Sequence, residues 1–194
     1  MLTTYQRWHF LQTKWCQRFS NSTVKFNIEC ESNEPFFVIK EYSKLSSTLL
    51  FHFTRSTITL NRSTKTNILS LLGVSLIINF DCVIITEGVS DYFAVKLLCP
   101  NLQVLGVTNL KGSPLARKFL SLFKRIIIIA DNDSAGLSTL NYYRSILPNN
   151  KFYIPVNKDV SEDIFSPLHT SVKSKLTTWY QTSQPNIVPK PSQK

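Results

Sequence analysis

Four consecutive isoleucines at 126–129, closed by Ala130 and followed at once by Asp131-Asn132-Asp133, constrain this chain more than any other stretch. A β-branched run without polar alternation marks a strand covered on both faces, and such strands belong to parallel sheets flanked by helices. Neighbouring segments agree. Residues 83–86 form a second buried strand that delivers Glu87 and Gly88, 104–107 a third, and 151–156 a fourth. Helical stretches separate them. One covers 90–99 with Ser90 as N-cap and Pro100 as its stop. A second runs from Ser113, the N-cap, and Pro114 to about 124. A third covers 134–147, stopped by Pro148-Asn149-Asn150, and a last turn covers 161–165. The alternation predicts an α/β fold, a four-stranded parallel Rossmann-like sheet flanked by helices.

A different pattern precedes this segment. Strand formers crowd 24–29, 36–40, 48–53 and 57–60, with turn signals at Asn33-Glu34-Pro35 and Tyr42-Ser43-Lys44, so a small antiparallel sheet is expected. Residues 66–72 read as a short helix capped by Thr66 and stopped by Gly73. Arg55, Arg62 and Lys65 lie among hydroxyls, either touching phosphates or in a solvated loop. Residues 1–28 lack acids and place Trp8, Leu11, Trp15 and Phe19 at helical spacing. Three readings compete there: a packed helix, a nucleic-acid-touching helix with aromatics for base stacking, and an organelle transit segment. The resulting division is a basic α+β region over 1–80, a candidate nucleic-acid-binding part, then an α/β domain over 81–166. A polar, basic tail over 167–194 follows, expected to be disordered at its Pro-, Ser- and Lys-rich end.

Charge sharpens the picture. The net charge is +10, with nine Lys or Arg against four acids over 1–80, nine against eight over 81–165, and four against none beyond. Basic flanks around a carboxylate-rich centre suit chemistry on a phosphate backbone, although a solvated surface gives the same flanks. Cys16, Cys30, Cys82 and Cys99 form no C-x-x-C pair, which argues against a zinc ribbon, and Cys82 and Cys99 read as buried free thiols. No apolar run is long enough for a membrane span, since 69–86 is broken by Asn79 and Asp81. An intracellular protein without a membrane partner is expected, in the cytoplasm or nucleoid or in an organelle (plastid or mitochondrion). Heavy use of Asn, Ile, Lys, Ser and Thr fits an AT-rich genome.

Function in such sheets collects at the carboxyl ends of the strands. Glu87, Asp131, Asp133 and Asp159 fall at or just past three of those ends. Asp131 and Asp133 are two apart, so an extended backbone projects both to one side. Packed carboxylates raise one another's pKa, and Mg²⁺ relieves the repulsion because it prefers carboxylate and water oxygens. Gly88 and Gly136 would allow close approach of backbone to phosphate, and the helix from Ser134 offers N–H groups to it. The plainer reading makes Asp131-Asn132-Asp133-Ser134 an ordinary capped helix start, but it must explain the other acidic strand ends separately.

The segments Ile84-Ile85-Thr86-Glu87-Gly88-Val89-Ser90-Asp91, Ile128-Ile129-Ala130-Asp131-Asn132-Asp133-Ser134-Ala135-Gly136 and Lys158-Asp159-Val160-Ser161-Glu162-Asp163 together resemble a Toprim domain, over about 85 residues. They are most similar to its bacterial-type DNA primase and primase-helicase branch. The resemblance implies that Glu87 is the general acid/base and that Asp131 and Asp133 bind metal. It implies that Asp91, Asp159 and Asp163 are further acids, the last two helping to hold a second Mg²⁺ (or Mn²⁺) ion. Lys111-Gly112-Ser113 stands where primases carry a small turn near phosphate, and Lys158 is a further candidate contact. The implied partners are single-stranded DNA or RNA, nucleotides, and a helicase or other replication protein. Several family parts are missing. There is no zinc-binding module, no G-x-x-x-x-G-K-[ST] motif, and no tyrosine identifiable as a topoisomerase nucleophile. Three activities remain open: primase-type nucleotidyl transfer, Toprim nuclease cleavage, and a non-catalytic single-stranded DNA-binding module.

Overall fold

The computed structural model describes residues 28–33, 36–43, 49–56, 63–67, 70–147 and 149–182, with side-chain surroundings for 38–43, 49–53, 70–147 and 149–182. The aromatic segment before residue 28, the strand expected at 57–60, Arg62 and the tail beyond 182 lie outside the described residues. Two sheets organise the rest. The first is an antiparallel meander of β1 (Ile28–Asn33), β2 (Phe36–Tyr42), β3 (Leu49–Ser56) and β4 (Ser63–Asn67), in that spatial order. Its register sets Cys30 opposite Ile39 and Ile39 opposite Phe53. The small antiparallel sheet is as expected, and Arg55 and Lys65 sit within its strands, not in a loop.

The helix expected over 66–72 does not form. Thr66 and Asn67 belong to β4, and β5 (Leu71–Leu72) is a two-residue strand antiparallel to β7, pairing Leu71 with Val107. Both leucines are fully buried. A sheet edge buries both, whereas a short, otherwise polar helix would have buried one face. Gly73 then turns at φ 98° into a 3₁₀ turn, Val74–Leu76. That left-handed conformation suits glycine.

The second sheet has the order β5-β7-β6-β8-β9, with β6 (Val83–Thr86), β7 (Val104–Val107), β8 (Ile126–Ile129) and β9 (Asn150–Tyr153) mutually parallel. The expected four parallel strands are present, and β5 adds an antiparallel fifth. Around them lie α1 (Val89–Leu98), α2 (Pro114–Leu120), α3 (Ser134–Ile146), α4 (Val160–Ile164) and α5 (His169–Gln181). Boundaries differ from the sequence reading in three places. Extended Gly88, not Ser90, precedes α1, and no side chain caps it. Helix α2 stops at Leu120, because Phe123 turns inward, buried, and stacks edge-on with Phe80. Strand β9 ends at Tyr153, short of Pro155.

The isoleucine run explains the layering. Ile126 and Ile128 enter one core with Val83, Ile85, Leu105, Leu120 and Leu140. Ile127 and Ile129 enter the other with Ile84, Tyr92 and Phe93, where Ile39, Phe51 and Phe53 of the first sheet join them. Each buried large apolar side chain contributes about 1.5–3 kcal/mol, so β8 alone anchors both layers. Helix α5 was not foreseen. Val172 and Leu176 bury one face of it in the second core, and the Tyr180 hydroxyl accepts from the Gln103 N–H at 3.4 Å. Cys82 and Cys99 are buried free thiols, as expected. Among the described residues, no helix is long and apolar enough to cross a membrane.

One buried carboxylate ties the sheets together. Glu41, on β2 at a register shift, accepts from the Gly73 N–H at 2.7 Å and from the Ser75 N–H at 2.6 Å. It is fully buried; burial raises its pKa, and the bonds from Ser75 and Gly73 work against that rise. Replacing Glu41 by Ala strands two buried N–H groups. At about 1–3 kcal/mol for each lost partner, Glu41→Ala should cost roughly 2–5 kcal/mol in urea unfolding. A variant as stable as the parent would show that the clamp carries no such energy.

Candidate acidic site at the sheet edge

Parallel pairing sets the geometry. Thr86 lies opposite Ile129 in the β6–β8 ladder, so the chain leaves both strands side by side. Glu87 and Asp131 therefore emerge together, and the Asp131 N–H donates to Glu87 Oε2 at 3.4 Å. Asp133 caps α3 by accepting from the Gly136 N–H at 2.9 Å. A Cβ at Gly136 would overlap the Asp131 carbonyl, so close approach of helix to loop requires glycine there. The two acid-bearing loops are also joined directly, because the Asn132 N–H donates to the Lys158 carbonyl at 2.7 Å.

Asp159 caps α4, its Oδ1 accepting from the Glu162 N–H at 2.8 Å and from the Ser161 hydroxyl at 2.6 Å. Asp91, in the first turn of α1, is buried where α1 packs on α4, and its Oδ1 has no hydrogen-bond partner. Gly88 is extended at φ −129°, and a Cβ there would stand 3.1 Å from Asp91 Oδ2. Its role is to leave space over that carboxyl.

The electrostatics follow from this crowding. Burial, then Asp159, Asp131 and Glu87, push Asp91 up to about 8, while the Ser161 N–H works against the rise. Burial, then Glu87, Asp159 and Asp133, push Asp131 up to about 6, and the Lys158 charge opposes them. Glu87, Asp91, Asp131, Asp133 and Asp159 thus form one electrostatic group. Tyr143 of α3 joins them unforeseen. Burial raises its phenol first, and the Glu87 carboxylate raises it further. A tyrosine late in a helix reads as core from sequence, so nothing signalled that proximity.

Asp163 stands apart from this group. It is fully buried, with Oδ2 accepting from the Tyr153 hydroxyl and the Val156 N–H, both at 2.9 Å. Oδ1 accepts from the Asn157 N–H at 2.9 Å and the Asn157 amide at 2.8 Å. Four donors on two oxygens make it a clamp on the loop before Lys158. The 111–113 turn lies after β7, on the same edge as the acids. Its groups serve the turn itself: the Gly112 N–H donates to Asn109 Oδ1 at 2.9 Å, and Ser113 caps α2 through the Ala116 N–H at 3.2 Å. Arg117 braces the carbonyls of Leu110 and Lys111 at 3.0 and 2.7 Å, and the Lys111 ammonium stands 5.2 Å over the Tyr142 ring.

Among the described residues, no three His, Cys, Asp or Glu side chains are grouped closely enough to hold an ion between them. The donors at the edge are nevertheless all carboxylates, one of them buried with an unpartnered oxygen. Mg²⁺ fits such a set, since it binds through one or two carboxylates and completes its shell with water and substrate phosphates.

No protein-family model matches the chain, and no curated protein matches it. Its fold does match solved structures. The primase fragment of the bacteriophage T7 primase-helicase protein superposes with a TM-score of 0.63 at 16% identity, covering 84% of this chain and 70% of that one. A chain from the structure of T7 lagging-strand DNA polymerase interacting with primase domains bound to an RNA/DNA hybrid and dTTP gives 0.61 at 16% identity, covering 86% and 85%. The DnaG primase catalytic domain, in a structure with ssDNA, gives 0.59 at 12% identity, covering 84% and 61%. At these identities the likeness is one of fold: the mixed α/β architecture of this chain is similar to that of DNA primase catalytic cores.

Proposed function

We propose that this chain is a primase-like Toprim enzyme that carries out Mg²⁺-assisted nucleotidyl transfer on nucleic acid. The observation that carries the reading is the gathering of Glu87, Asp91, Asp131, Asp133 and Asp159 at the carboxyl edge of a sheet with a primase-core fold. Asp131 and Asp133, with Asp159, are the residues that would hold Mg²⁺ (or Mn²⁺), as one ion or two, each through one or two carboxylates with water and phosphate oxygens completing its shell. When bound, the metal neutralises charge developing on the reacting phosphate. Glu87 moves the proton of the attacking or leaving hydroxyl, and its Oε2 is oriented by the Asp131 N–H. Asp163 acts on the loop that presents Lys158 and Asp159. Nucleotides and a single-stranded template are the proposed substrates, and a helicase or polymerase is the proposed partner. The fold neighbours bound to ssDNA, or to an RNA/DNA hybrid and dTTP, support those classes.

Template-dependent incorporation of labelled nucleotides with Mg²⁺ tests the reading. Asp131→Ala should abolish incorporation, and Glu87→Gln should lower its rate on the order of 10²- to 10⁴-fold. Loss of a labelled strand without added nucleotides would replace synthesis by nuclease cleavage. If neither reaction occurs while Asp131→Ala binds DNA as the parent does, catalysis at this edge is wrong.

The crowded carboxyls also predict a pH signature. In the unfolded chain both aspartates return to the ordinary value of 3.8, whereas folded Asp131 and Asp91 hold protons to about 6 and about 8. Their contribution to stability is therefore fully present below 3.8 and is lost as pH rises through those folded values. Melting temperature of the metal-free protein should fall across that window, and Mg²⁺ should offset the fall at its upper end. Asp91→Asn should flatten the part of the fall between about 6 and about 8. Parallel melting curves for parent and variant at every pH would refute the coupling.

A further inference from the structure

We propose that the Lys158 ammonium binds a phosphate group of the substrate at the acidic edge. The proposal rests on the nucleic-acid reading above and, among its candidate contacts, gives the phosphate to one residue. An edge that gathers five carboxylates repels any phosphate brought to it, and a cation carried on the neighbouring loop answers that repulsion. Lys158 is exposed in the loop between β9 and α4, yet its backbone is held on both sides. Its carbonyl accepts from Asn132, the residue between Asp131 and Asp133, at 2.7 Å. Its N–H donates to Glu162 Oε2 at 3.2 Å. Asp163 fixes the approach to it by taking the N–H groups of Val156 and Asn157, each at 2.9 Å.

The lysine loop and the acid-pair loop are therefore one unit, and Asp131 senses the Lys158 charge. Other cations on this edge are engaged differently. Arg117 braces carbonyls, and Lys111 covers a tyrosine ring. A lysine ammonium is a compact charge with three donors on a flexible stem, which suits a phosphate that arrives with the substrate. That phosphate belongs either to the polyphosphate of a nucleoside triphosphate or to the backbone of the bound strand.

Lys158 has a competing role as mere charge balance for Glu162, Asp159 and Asp131, and the two roles have opposite signs. Removing a balancing cation tightens divalent-metal binding and leaves phosphate binding alone. Removing a phosphate ligand weakens phosphate binding. Three quantities separate them in the full chain: Mg²⁺ affinity, affinity for a fluorescent nucleoside triphosphate with Mg²⁺, and affinity for a labelled single strand over a salt series. Lys158→Gln preserves both backbone bonds and should melt near the parent. It should weaken nucleotide binding about tenfold or more if the polyphosphate is the ligand. If the strand is the ligand, the slope of log affinity against log salt should instead drop by about 1. Lys158→Arg should recover most of either loss. Unchanged nucleotide and strand binding in Lys158→Gln, with or without tighter Mg²⁺ binding, would overturn the assignment. Failure of the parent chain to bind either probe would instead remove the nucleic-acid reading on which it rests, and the assignment with it.

Discussion

Burial of β8 on both faces is the constraint on which the rest of the structure depends. Ile126 and Ile128 fill one core and Ile127 and Ile129 the other, so the strand has no register in which a polar residue would be tolerated. Polarity is admitted only where the strand ends, and there the chain places Asp131-Asn132-Asp133. The in-register pairing of β6 with β8 brings the end of a second apolar run to the same level. Glu87 beside Asp131 is thus a consequence of hydrophobic packing, and the acids cannot separate unless the sheet itself slips.

That packing opposes the charges it gathers. Asp91 is buried, and burial together with the charges of Asp159 and Asp131 pushes its carboxyl up to about 8. The fold offsets part of the cost by giving two of the acids structural work. Asp133 and Asp159 each cap a helix, where the N–H groups and dipole favour negative charge. The remaining repulsion is what leaves Asp131 and Asp91 with raised pKa values despite the two caps. An acid turned fully inward, Asp163, lies outside this balance because four donors already satisfy it.

Legibility from sequence followed the strength of local patterns. The β6 and β8 runs and the Ser113-Pro114 helix start were plain, because unbroken burial and capping chemistry leave little choice. Thr66 to Leu72 misled, since a capping threonine and a terminal glycine also flank strands, and tertiary burial of Leu71 and Leu72 overrode local propensity. Helix α5 was passed over as polar tail. Its signal is only Val172, Leu176 and Tyr180, four apart among Ser, Thr and Lys, which is a narrow face. The separation of Asp163 from the other acids was illegible for a different reason. Lys158-Asp159-Val160-Ser161-Glu162-Asp163 looks uniformly acidic until α4 turns Asp163 inward and leaves Asp159 at its N-terminus.

The antiparallel sheet bears on the acids through shared packing. Ile39, Phe51 and Phe53 lie in the same core as Tyr92 and Phe93 of α1, the helix that carries Asp91. Glu41 fastens β2 to the Gly73–Ser75 turn, and Gly73 is pressed so close to Tyr92 that an added Cβ would come within 2.8 Å of its ring. A shift of the first sheet would therefore press on the turn, then on Tyr92, and through it on the buried carboxyl one residue before. Close-packed interiors transmit such shifts because they contain little void to absorb them.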